Sequence, residues 1–154
     1  YYRLAMLEAF NMTIPGIPVI YYGDEFGMPG GGDPDNRRMM KFDSLSPLEM
    51  RTKAITVKLA HMRRSSMPLL YGDFTTLEIE PDTWVYLRSY FDQGVIVILN
   101  RQKSPAEIRF EVPERFANTV FTANFGHPFT TDKGKMTVSL NGNSFEVLST
   151  STEK

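Results

Sequence analysis

Residues 14–43 read IPGIPVIYYGDEFGMPGGGDPDNRRMMKFD, and this stretch decides the fold. Pro15, Gly16 and Pro18 forbid helix, because proline lacks a backbone donor and pushes its predecessor to extended backbone. Val19-Ile20-Tyr21-Tyr22 is then a continuous apolar and aromatic run closed by Gly23. Such a run is the pattern of a strand covered on both faces, as in a parallel sheet. Residues 23–45 follow as a long loop, broken by Gly23, Gly27, Gly30, Gly31 and Gly32 and by two prolines. Loops of that length inside a compact domain are uncommon, and are usually functional or disordered.

Upstream, Leu4, Leu7 and Phe10 recur at spacings of three with Met6 beside them, which predicts a helix with that face buried. Downstream, Ser46 suits an N-cap, Pro47 the first helical position and Glu49 the third, a capping box. Leu48, Ile55, Leu59 and Met62 then share a face, while Lys58, His61, Arg63 and Arg64 complement the carbonyl end of the helix. The character changes near Ser65-Ser66-Met67-Pro68: eight of the nine methionines lie at or before Met67. The expected division is residues 1–66 and 67–154.

Beyond Pro68 the period becomes two. Alternating runs around Leu77–Ile79, Trp84–Phe91, Ile108–Val112, Met136–Leu140 and Phe145–Val147, with the apolar run Val95–Asn100 among them, are separated by turns, including Asn141-Gly142, a strong hairpin signal. Six or seven short antiparallel strands predict a β-sandwich, with Ser149 to Lys154 as a frayed tail. A single parallel-type strand needs parallel neighbours that this sequence does not contain. The chain also opens at Tyr1 in mid-helix pattern, so the expectation is a segment of a longer protein.

Composition narrows the partners. The 154 residues carry 17 Lys and Arg against 18 Asp and Glu, a net charge of −1, with no basic excess for nucleic acid. There is no cysteine, which excludes disulfides and thiolate chemistry. The longest apolar stretches, Ile17–Tyr22 and Val95–Leu99, are far short of a membrane span.

Several residues invite chemical readings. Asp24 and Glu25 are adjacent at a strand end and so point to opposite faces, which favours a structural role over paired acid/base work. Gly30-Gly31-Gly32 is followed by Asp33-Pro34 rather than Gly-Lys-Ser/Thr, so it is no phosphate cradle. The Asp33–Arg38 stretch has Arg38 where a calcium loop requires glycine. Asp33 and Arg37 suit a neutral polyol, a carboxylate accepting from vicinal hydroxyls and a guanidinium fork donating in a plane; the equal alternative is a salt bridge within the loop. His61 and His127 are isolated, which argues for ordinary surface or core histidines. Trp84, Tyr86 and Tyr90 on one strand face make either a sugar-stacking platform or, more simply, part of the sandwich core.

Residues 14–43 closely resemble the eighth-strand segment of the α-amylase family of glycoside hydrolases, nearest its neopullulanase and cyclomaltodextrinase branch. The resemblance implies the last helix-strand-helix piece of a (β/α)8 TIM barrel followed by an antiparallel β-sandwich C-terminal domain, the order read above. It implies retaining hydrolysis of α-glucans such as starch, maltooligosaccharides, pullulan or cyclodextrins, with Asp33 and Arg37 as a glucose-binding pair. The family's catalytic Asp, Glu and Asp lie on earlier strands, so no catalytic residue is expected in this chain and the chain alone is expected to be inactive. Tyr22 borders the site, and Phe42 stands where relatives often carry Trp. No cofactor is expected in this segment, with calcium left open for a full-length protein. The implied partners are the α-glucan and the remainder of the barrel, with self-association open, and the compartment expected is periplasmic or secreted rather than cytoplasmic. The alternative is a noncatalytic carbohydrate-binding or structural β module.

Overall fold

The computed structural model describes residues 1–150. Three helices come first, α1 (Tyr2–Thr13), α2 (Pro47–Ser65) and α3 (Met67–Tyr71). Eight strands follow: β1 (Asp73–Glu80), β2 (Thr83–Tyr90), β3 (Gln93–Asn100), β4 (Ala106–Glu111), β5 (Phe121–Ala123), β6 (Phe129–Asp132), β7 (Lys135–Leu140) and β8 (Ser144–Thr150). They form two antiparallel sheets, β1-β2-β3-β8-β5 and β4-β7-β6. The three-residue β5 and four-residue β6 are too short for a period-two pattern to reveal.

The five-stranded sheet is buried on both faces. Val85, Leu87, Ile96, Ile98 and Leu148 meet Ile108, Phe110, Met136, Val138 and Leu140 of the smaller sheet. On the opposite face Tyr86, Val95, Val97, Phe145 and Val147 pack on Ala5, Ala9 and Met12 of α1, Leu59 of α2 and Leu69 of α3. The molecule is therefore three layers, helices, sheet and sheet, and apolar packing runs uninterrupted across the Ser66–Met67 junction. Continuous burial on both sides explains why β3 reads VIVIL with no alternation.

Four expectations are corrected. The aromatic stripe does not fill the space between the sheets: Trp84 lies 5.8 Å from Phe10 of α1 and 5.1 Å from Tyr86, on the helix side. Tyr86 is fully buried and offers no stacking face. Asn141-Gly142 closes no hairpin, since β7 and β8 belong to different sheets. It carries the chain from one sheet to the other, because both neighbours of each strand are already chosen by the faces they bury. The tight hairpins lie elsewhere: Pro81-Asp82 joins Glu80 to Thr83, Phe91-Asp92 joins Tyr90 to Gln93, and Lys133-Gly134, with φ of 48° and 86°, joins Asp132 to Lys135 as a type I′ turn demands. Ser149 and Thr150 belong to β8, opposite Val95 and Phe121, while the rest of the expected tail, 151–154, lies outside the described residues. Finally, Val19–Tyr22 forms no strand: Ile17 and Val19 are 91% and 75% exposed, and no described strand runs beside them to complete a ladder. The helix, extended segment and helix keep their expected order.

The face of α1 is also shifted. Ala5, Glu8, Ala9, Met12 and Thr13 are buried while Leu7 is exposed, because the two alanines allow close approach to α2 and the sheet. Two arginines hold the carbonyl end of α1, where cations are favoured. Arg63 of α2 donates to Met12, Ile14 and Gly16 carbonyls at 3.3, 2.8 and 2.5 Å. Arg88 of β2 donates to Thr13 and Gly72 carbonyls, both at 2.9 Å. Among the described residues no helix is long and apolar enough to cross a membrane.

Candidate functional site

The loop 23–45 is built from two short 3₁₀ turns. Gly23 and Gly27, at φ 95° and 79°, bracket the first, Asp24–Phe26, and a side chain at Gly23 would meet the Met28 Cβ at 2.8 Å. Phe26 is buried and anchors the turn. The Glu25 carboxylate accepts from the Gly23 N–H at 2.7 Å, the structural role expected of it.

The second turn, Asp35–Arg37, carries two interlaced ion pairs. Arg37 Nε lies 2.8 Å from Asp33 Oδ1, the two side chains 71% and 62% exposed. Arg38 donates through Nε and its terminal nitrogen to Asp35 Oδ1 at 2.9 and 2.7 Å, and the Gly31 N–H donates to Asp35 Oδ2 at 2.8 Å. The Arg38 hydrogen bond first, then that of Gly31, holds the Asp35 carboxyl below its ordinary value. Tyr22 Oη donates to the Arg38 carbonyl at 3.0 Å, tying the extended segment to the turn. The structure thus brings Asp33 and Arg37 together, as the salt-bridge reading requires. An exposed pair of this kind stabilises by only ~0–1 kcal/mol. The guanidinium uses one of its five N–H groups in the pair, so outward donors and acceptors remain for a polyol.

Beneath the loop lies a residue that the apolar pattern did not reveal. Glu8 of α1 is buried, its Oε2 without a partner among the described residues. Burial first, then the Asp24 charge, raises its pKa. Of the two histidines, His61 is exposed on α2. His127 lies with Nδ1 3.2 Å from Oε2 of the fully buried Glu146. Among the described residues no three His, Cys, Asp or Glu side chains gather into a metal-ligating group.

No family model matches the chain. It is 39% identical over 111 residues to a cyclomaltodextrinase of Thermoanaerobacter pseudethanolicus (strain ATCC 33223 / 39E), covering 70% of this chain and 18% of that protein. It is 39% identical over 104 residues to a cyclomaltodextrin glucanotransferase of Geobacillus stearothermophilus, covering 66% of this chain and 14% of that one. The chain therefore spans less than a fifth of the length of these relatives. Among solved structures, the α-amylase of Geobacillus thermoleovorans complexed with acarbose superposes with a TM-score of 0.82 at 26% identity, covering 99% of this chain and 34% of that one. A debranching enzyme of Nostoc punctiforme, at 21% identity, shares the fold with a TM-score of 0.78, covering 94% of this chain and 28% of that one.

Proposed function

We propose, on the premise that this chain belongs to the α-amylase family and corresponds to its C-terminal region, that it serves a retaining glycosidase acting on α-glucans. In this reading the chain contributes the closing elements of the barrel, the sandwich behind them and a glucose-binding loop. The catalytic carboxylates come from earlier strands, upstream of Tyr1 in the family's order, and none of this chain's carboxylates breaks a bond. Retaining hydrolysis places two carboxyl groups about 5–5.5 Å apart across the scissile bond. Glu25, Asp33 and Asp35 are each already engaged by a backbone or arginine donor.

The observation that carries the reading is the exposed Asp33–Arg37 pair, displayed on a glycine-rich loop directly after the Val19–Tyr22 segment. In a (β/α)8 barrel such post-strand loops form the catalytic face. The remainder of the barrel is the partner that would pair with Val19–Tyr22 and cover Ile17 and Val19. The test is steady-state kinetics of Asp33→Ala and Arg37→Ala in the enzyme that carries this segment, over a chain-length series of maltooligosaccharides. Loss of a charge-assisted hydrogen bond of ~1.5–3 kcal/mol lowers kcat/KM about tenfold to a hundredfold, growing with substrate length. A loss independent of length rejects the sugar contact. The purified 154-residue chain alone should release no reducing ends from pullulan.

A further inference from the structure

We propose that the cleft where α1 and the start of α2 meet the rim of the sandwich is a second, noncatalytic glucosyl-binding site. The ligand class rests on the α-glucan reading above; the site itself rests on geometry. The cleft has a volume of about 280 Å³ and is lined by Tyr2, Arg51, Phe125, His127, Asn141 and Asn143 among others. That is just below the roughly 300–1,000 Å³ of ordinary ligand pockets, a size for one monosaccharide unit.

Both sandwich loops that form its wall are locked from beneath by fully buried polar residues. Glu146 accepts from the backbone N–H groups of Asn124, Phe125 and His127 at 2.9, 2.7 and 2.8 Å. It also engages His127 Nδ1, which leaves Nε2 as the ring nitrogen available to a ligand. Asn100 donates to the Asn141 carbonyl at 2.9 Å, and the Asn143 side chain accepts from Arg3 Nε of α1 at 3.0 Å. On the helix side, the Arg51 guanidinium sits 5.1 Å over the Tyr2 ring, with a 3.5 Å contact to its hydroxyl. A buried carboxylate that fixes a surface loop through three backbone donors pre-organises it, and pre-organisation lowers the entropic cost of binding.

The chemistry of the lining selects the ligand. Aromatic rings, side-chain amides, a hydroxyl from Ser144 and a guanidinium converge, and among the described residues no carboxylate lines the cleft. Such a set recognises a neutral polyol with an apolar ring face and disfavours a cation. Its lining includes no residue of the loop that carries Asp33 and Arg37, so it is a distinct contact, one that would hold a second stretch of a long glucan.

The test is an NMR titration of the 154-residue chain with maltotriose. The ring resonances of the two histidines report on the cleft (His127) and on α2 (His61), and the Gly31 and Gly32 amides report on the loop. Saturable movement of His127 with His61 unmoved is the expected result, and Arg51→Met should weaken that response about tenfold. Movement of Gly31 and Gly32 with His127 unmoved overturns the cleft and leaves the loop reading standing. Movement of His127 alone supports the cleft. Stillness of His127 overturns the cleft whatever the loop amides do, and the loop reading stands or falls by the chain-length kinetics. A response unchanged in Arg51→Met, or one elicited by inorganic phosphate at lower concentration than by maltotriose, also overturns the cleft as a sugar site.

Discussion

Glu146 shows how a single residue can carry more structural weight than its sequence context suggests. It sits between Phe145 and Val147 in what reads as an apolar strand, and it is fully buried. Burial alone would raise its pKa, but hydrogen bonds from the His127 ring and the backbone of His127, Phe125 and Val147 outweigh that and hold it below the ordinary value. Glu146→Gln presents an amide NH₂ to N–H donors that require an acceptor. It should cost ~2–4 kcal/mol in urea unfolding at neutral pH. Because the folded pKa is depressed, the stability this carboxylate supplies is complete above its unfolded pKa and is lost as pH falls through the folded value. The variant should therefore show a flatter acid limb than the parent, and equal acid limbs would refute the role assigned to the cradle.

At the scale of elements, α2 begins where local chemistry says it should. Ser46 Oγ accepts from the Glu49 N–H at 3.4 Å and the Glu49 carboxylate accepts from the Ser46 N–H at 2.7 Å. Lys41 Nζ adds a further bond to the same carboxylate at 2.9 Å. The backbone bond from Ser46, then that from Lys41, lowers the Glu49 pKa from 4.5 to about 2. Ser46→Ala should cost about 1 kcal/mol of stability, read as a shift in urea midpoint at constant slope. The Glu49 contribution should be intact above its ordinary value of 4.5 and fade as pH falls toward about 2. Parent and Glu49→Gln should then converge over that window, and a constant gap between them contradicts the box. The Val19–Tyr22 segment is the opposite case. Its composition suits a strand, yet a strand is completed only by a neighbour's backbone.

For the whole molecule, the consequence is a set of exposed apolar side chains. Ile17 and Val19 on the extended segment and Met39 and Phe42 on the loop stand 91%, 75%, 93% and 83% exposed. Exposed apolar patches of more than a few hundred Å² favour association. The chain should sediment with a mass that rises across a concentration series, and Ile17→Ser with Val19→Ser should reduce that rise while leaving far-UV circular dichroism unchanged. A constant monomer mass in both proteins would show that these side chains find no partner in a second copy. The helices and sandwich, by contrast, should unfold together, since Arg63 and Arg88 clasp the same end of α1 from two layers.

What the sequence determined by itself was whatever depends on short-range chemistry. The breakers Pro15, Gly16 and Pro18, the box at Ser46 and Glu49, the period-two runs, and the Asp33–Arg37 spacing were all legible, because each is settled by neighbours a few residues away. Tertiary structure decided what depends on distant partners. It turned the Asn141-Gly142 signal into a passage between sheets, placed Trp84 and Tyr86 on helix α1 instead of in the sandwich, and brought Tyr2, Arg51 and His127 to one cleft. These outcomes follow from which faces bury the most apolar surface together, and burial is a property of the assembled layers rather than of any local stretch of chain.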